Sequence, residues 1–189
     1  SCAPTAPPGH YTVTMEAGTT TETQSFRLLA PPNVDIPQAH YDEQFKLLVR
    51  IRDDVSRIHE AYNRVAKVRA EVAAWEPRVV GHEHEESLKE SLARIRERAD
   101  EARDRLIQWR LDNFQDSINF PPQLNAKVAH IFQVVASADA RPTSQSYTAL
   151  EALEAQVDTE VKRVDSLMAE EVAEFNRRAR EANLTPIGV

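Results

Sequence analysis

The sequence predicts a mainly α fold: an antiparallel up-down four-helix bundle with two long helices, preceded by an N-terminal β-hairpin. Three observations predict it. Apolar residues recur at spacings of three and four through most of the chain after Asp35, which is helical periodicity. Only four of 189 residues are glycine, with 28% charged, a composition that favours helix over a large sheet or a glycine-rich phosphate-binding fold. Proline-bearing breaks divide the periodic stretches into four, and short connections between long helices make antiparallel neighbours.

Residues 1–9 carry three prolines and read as a linker. Residues 10–34 hold the hairpin and a proline-rich connector. Tyr11, Val13 and Met15 alternate on the first strand, Phe26 and Leu28 on the second, and Ala17-Gly18-Thr19 supplies the turn. A lone hairpin is marginal in water, so it must either pack on the helices or belong to a sandwich as its last two strands. Pro31-Pro32 then ends the strand.

The helical region spans 35–189. The first helix, about 36–76, places Tyr41, Phe45, Leu48, Ile51, Val55, Ile58, Tyr62, Val65, Val68 and Val72 on one face, with Asp35 as N-cap and Pro77 and Gly81 ending it. The second, about 84–112, steps four and three through Leu88, Leu92, Ile95, Ala99, Ala102, Leu106 and Trp109, a heptad seam whose alanines suit close helix approach. Pro121-Pro122 opens a shorter third helix with Leu124, Val128, Ile131 and Val135, ending near Ala138. The fourth starts at a Thr143 or Ser144 cap and runs to Ala182 through Tyr147, Leu150, Leu153, Val157, Val161, Val164, Met168, Val172 and Phe175. Asn183 and Pro186 end it. The competing arrangement is an open three-helix coiled coil capped by the third helix. In the four-helix reading, the far ends of the first and fourth helices, each about 60 Å long, project as a two-helix extension.

No residue set reads as catalytic, cofactor-binding or metal-ligating. The histidines of His82-Glu83-His84-Glu85-Glu86 diverge from a helix start, whereas zinc needs three or four converging ligands. His59-Glu60 lies beside the first apolar seam without a second histidine one turn on. Asp53-Asp54 and Glu170-Glu171 are adjacent carboxylates among arginines, so they read as surface ion pairs rather than an acid and base across a cleft. The stretches Asp116–Pro122 and Ala138–Thr143 read as helix stop and start devices, with Arg141 bonding back across the end of the bundle. A net charge of −7 with both signs interspersed gives no basic footprint for nucleic acid. Nucleic acid is therefore not an expected partner; long helices without a site point to a protein partner, with self-association open. No apolar run is long enough for a transmembrane segment. Cys2 reads as a linker residue, with a lipid-bearing N-terminal cysteine as the alternative.

Several segments carry a family resemblance: Pro8-Gly9-x-Tyr11-Thr12-Val13, Arg52-Asp53-Asp54-Val55-Ser56-Arg57-Ile58-His59-Glu60-Ala61, Asn119-Phe120-Pro121-Pro122-Gln123-Leu124-Asn125-x-Lys127 and Ser137-Ala138-Asp139-Ala140-Arg141-Pro142-Thr143. In this order they resemble the C-terminal region of bacterial sortilin-like β-propeller proteins, often labelled BNR-repeat glycosyl hydrolases. The resemblance covers nearly the whole chain, and the last two segments are its most specific parts. It implies a periplasmic or extracellular setting, a propeller and a sandwich-like segment ahead of this region, and a hairpin that is the remnant of that sandwich. The propeller's Ser-x-Asp-x-Gly boxes are absent, and so is any residue set for glycoside hydrolysis, so the enzyme label does not carry over. The expected role is a non-catalytic scaffold or interaction domain. A substrate- or glycan-binding accessory of a hydrolase and a lipid-anchored periplasmic adaptor are the alternatives.

Overall fold

The computed structural model describes residues 3–188; Cys2 lies outside them. The protein is mainly helical with an N-terminal two-stranded antiparallel hairpin, β1 (Gly9–Ala17) and β2 (Thr20–Leu28). The helices are α1 (Gln38–Trp75), α2 (Glu85–Leu106), α3 (Leu124–Val135) and α4 (Ser144–Ser166). From α4 the chain runs without interruption through a π-helical turn, Leu167–Val172, into α5 (Ala173–Glu181).

The helices do not alternate up and down. Arg50 meets Glu154, Arg57 meets Asp158 and Arg64 meets Asp165, so the pairs advance together along both helices and α1 and α4 run parallel. Arg69–Asp100 at 2.5 Å and Glu76–Arg96 at 2.6 Å advance in opposite senses, which makes α2 antiparallel to α1. Gln44, near the start of α1, meets Val135 and Ala138 at the end of α3, so α3 is antiparallel to α1 as well. α2 therefore covers the far half of α1 and α3 the near half, as consecutive pieces of one descending rod. At 1.5 Å per residue, α1 and the α4–α5 rod are each about 57 Å long, and α2 plus α3 about 51 Å. The lengths match, so the long helices have no projecting ends. The expected order fails because residues 107–123 are not a reversing turn. Gln108 Nε2 donates to the carbonyl of Pro121 at 3.2 Å, closing the segment into a side excursion after which the chain resumes its direction.

The seams explain why three rods suffice. In α1 the buried residues Leu47, Ile51, Asp54, Ile58, Ala61, Val65, Val68, Val72 and Trp75 step four and three throughout, the heptad spacing of a coiled coil. In α4 the buried series is Leu150, Val157, Glu160 and Val164, then Leu167 and Val172 five residues apart. The π turn absorbs the extra residue, since its bonds reach one position further than an α-helix allows. It buries Leu167, leaves Met168 half-buried and carries Phe175 to an edge-on contact with Trp75, ring centroids 5.1 Å apart. In α3 the fully buried aromatic is Phe132, and Ile131 is only half-buried.

Two boundaries differ from expectation and two agree with it. Asp35 does not cap α1: Pro37 occupies the N-cap position, no side chain caps it, and the residue before a proline is held extended. α2 ends at Leu106, where Ile107 turns extended, so Trp109 falls outside the seam and is exposed. Its indole Nε1 donates to Asp104 at 2.7 Å, and the Arg103 guanidinium lies 4.2 Å from its ring, which holds it against the loop. Thr143 does cap α4, accepting from the Ser146 amide, and Asn183 ends α5 in the left-handed conformation at φ 55°.

Candidate functional site

Among the described residues, the helices leave the hairpin uncovered. Ala17 pairs with Thr20 around Gly18-Thr19, and Gly18 has φ +63°, the backbone sign a two-residue hairpin turn needs. The register sets Tyr11 opposite Phe26, Val13 opposite Gln24 and Met15 opposite Glu22 on one face. His10–Arg27, Thr12–Ser25, Thr14–Thr23 and Glu16–Thr21 make the other. Tyr11 and Phe26 stack with centroids 5.8 Å apart, yet Val13, Met15 and Phe26 remain 55%, 57% and 48% exposed. Of the two fates expected for the hairpin, packing on the helices does not occur.

Its base is anchored all the same. Tyr11 Oη donates to the Pro7 carbonyl at 2.6 Å, and Gln38 Nε2 donates to that of Pro8 at 2.9 Å, which ties the linker to the start of α1. Between linker, strand ends and helices lies a cavity of about 240 Å³, lined among others by Pro7, Leu28, Tyr41, Phe45 and Leu48. The Tyr41 hydroxyl beside it is buried without a partner.

The histidine segment forms the start of α2. The His82 and His84 rings lie 5.7 Å apart, and His82 Nδ1 accepts the His84 amide at 3.2 Å. Glu85 accepts from the Gly81 amide and pairs with Lys89; these two contacts, Lys89 first, hold its carboxyl below the usual range. Among the described residues no group of three or more His, Cys, Asp or Glu side chains converges as a metal site would. His59 and Glu60 are both exposed on α1.

Of the two adjacent carboxylate pairs, Asp53 and Asp54 separate and Glu170 and Glu171 do not. Asp53 pairs on the surface with Arg52 at 2.6 Å, whereas Asp54 is buried and bonds Arg57 at 3.0 Å. Glu170 and Glu171 both reach Arg98, at 3.6 and 2.9 Å. Arg141 bonds Glu43 at 2.8 Å, joining the α3–α4 turn to the first turns of α1.

Sequence reading set Asp54 in a surface ion pair and passed over Glu160; both are buried. Burial pushes the carboxyls of Asp54 and Glu160 up, against the pull of Arg57 on the first and Arg105 on the second. Asp54 Oδ2 and Glu160 Oε2 have no hydrogen-bond partner and are sealed from solvent. Raised carboxyls are a common mark of acid–base sites. General acid work also needs the acid within reach of a substrate, and these oxygens face packed side chains. The signal that could have found them is positional, since both sit on the heptad seam.

No family model, no curated protein and no solved structure matches this chain.

Proposed function

We propose that the chain is a non-catalytic helical scaffold and protein-interaction module in the C-terminal part of an exported, sortilin-like β-propeller protein. The observation that carries the interaction role is the hairpin: a two-stranded sheet with an uncovered apolar face, anchored at its base to a rigid three-rod body. Exposed contiguous apolar surface of this kind marks an interaction site. The heptad-seamed body supports the scaffold role, because its buried side chains form one continuous core between the rods. Export and the propeller rest on the motif resemblance, and the partner in this reading is the propeller itself or another protein.

The cavity at the hairpin base favours one second reading, a glycan- or substrate-binding accessory, since its apolar walls and small volume suit part of a ligand. Residues encoded upstream of Ser1 test the main proposal. Repeated Ser-x-Asp-x-Gly boxes there support it, and a signal peptide directly abutting Ser1 overturns it. Saturable binding of a glycan that Phe45→Ala abolishes would replace it with the accessory reading.

A further inference from the structure

The two strands of the hairpin are not equivalent. β2 reads Thr20-Thr21-Glu22-Thr23-Gln24-Ser25, polar on both faces over its tip half, as a strand at the edge of a sheet does. β1 alternates Tyr11, Val13 and Met15 with Thr12 and Thr14, the pattern of an antiparallel strand with one covered face. β1 has a neighbour only on one side.

Its outer edge is available for pairing. In a hairpin closed by a two-residue turn the closing pair, Ala17–Thr20, exchanges hydrogen bonds. The odd-numbered residues of β1 therefore point their amides and carbonyls at β2, and His10, Thr12, Thr14 and Glu16 point theirs outward. Among the described residues, no backbone bond joins these four to the helical body.

We propose that the outer edge of β1 pairs antiparallel with β1 of a second copy of this chain, about a two-fold axis at Val13, giving a four-stranded sheet. This deepens the interaction-module reading and rests on it. The sequence of the strand selects this occupant. With Val13 opposite Val13, all nine residues from Gly9 to Ala17 are paired. On the apolar face Tyr11 meets Met15 of the second copy, a favourable sulfur–aromatic pair. On the polar face Thr12 meets Thr14, and His10 meets Glu16, a contact of complementary charge when the imidazole is protonated. Shifting the register by one residue sets Val13 against threonine and breaks the match between outward-facing amides.

The same operation on β2, centred on Gln24, puts Glu22 against Phe26 and so disfavours that edge. Charge also favours the hairpin as the meeting point. Glu16 and Glu22 against Arg27 leave residues 9–29 nearly neutral in a chain of net charge −7. Antiparallel pairing sends the two acidic bodies to opposite ends of a sheet about 30 Å long, well beyond a Debye length of about 8 Å. In the paired sheet Val13 and Met15 gain lateral neighbours on both sides, and the polar β2 strands become its two edges.

Cysteine cross-linking tests the axis, in a Cys2→Ser background so that no other thiol competes. Val13 facing itself in a non-hydrogen-bonded pair has Cα atoms about 4.5 Å apart, within disulfide range. Val13→Cys is expected to oxidise to a covalent dimer about tenfold more than Gln24→Cys, which lies on the same face of β2. Equal yields from the two variants overturn the proposal. Sedimentation of the unsubstituted chain across the micromolar to millimolar range is expected to show a reversible dimer. Thr14→Pro, which removes one outward amide while sparing the bonds to β2, is expected to return it to monomer. A chain that stays monomeric throughout, or a dimer that Thr14→Pro leaves intact, overturns the pairing. Either failure leaves the upstream-residue test of the module reading unaffected, so the two are separable.

Discussion

Gln44 is the residue whose replacement most directly tests how α3 is held in the descending rod. Its side-chain amide is 8% exposed and donates to the carbonyls of Val135 at 2.7 Å and Ala138 at 2.6 Å. The last carbonyls of a helix have no partner within it, so α1 terminates α3 from across the body. Ala138 is exposed and water can replace the amide there, but Val135 is buried. Gln44→Leu keeps the volume and leaves one buried carbonyl unpaired, a cost of about 1–3 kcal/mol. For a chain of this size, 2 kcal/mol lowers Tm by about 4–8 °C. Gln44→Glu is expected to cost more at neutral pH, because it sets a carboxylate against two carbonyls; acidification should recover part of the loss once the protonated carboxyl can donate. Urea unfolding followed by circular dichroism at neutral and acidic pH reads both effects. Amide exchange should localise the loss to the last turn of α3. A Leu variant within about 0.5 kcal/mol of the parent, or a Glu variant no worse than Leu at neutral pH, would refute the cross-body cap.

Three further outcomes are expected. Asp54 and Glu160 hold their protons more tightly folded than unfolded, so their ionisation opposes folding: the penalty is absent below the ordinary carboxylate range and grows as pH rises through their raised values. Glu174 works the other way, held at about 2 by Arg177 and Arg178, and its contribution is present above 4.5 and fades as pH falls from there to about 2. Tm should therefore rise as pH is lowered from neutral toward the ordinary carboxylate range, and the rise should shrink in the Asp54→Asn/Glu160→Gln double variant; an unchanged rise in that variant contradicts the assignment. Gly18→Ala, at φ +63°, should weaken the hairpin by about 1–3 kcal/mol while leaving the helical melting transition in place, read by strand chemical shifts alongside circular dichroism. Arg141→Ala removes an ion pair whose side chains are 65% and 35% exposed, so the loss should be at most about 1 kcal/mol; a larger drop in Tm would show that Arg141 does more than pair with Glu43.

Periodicity made the helices legible, but it hid their seams and directions. Reading apolar letters alone placed Val55 and Tyr62 on the face of α1, whereas the buried seam passes through Asp54 and Ala61. A heptad tolerates an acid or a small residue at one position when its neighbours on either side are Ile51, Ile58 and Val65, so spacing carries more information there than hydropathy. The same arithmetic exposes the π turn, because a five-residue step from Leu167 to Val172 breaks a four-and-three series only if the helix itself changes pitch. Direction was lost at residues 107–123. Treating every break as a reversal predicts four alternating helices, but a break whose ends are tied to each other, as Gln108 ties to Pro121, returns the chain to the same line. The hairpin shows the converse case. Its strands and turn were readable from alternation and Gly18, and marginal stability already required a partner beyond itself. With the helical body packed along its own seams, the outer edge and the apolar face of β1, where Tyr11, Val13 and Met15 stand, remain uncovered among the described residues.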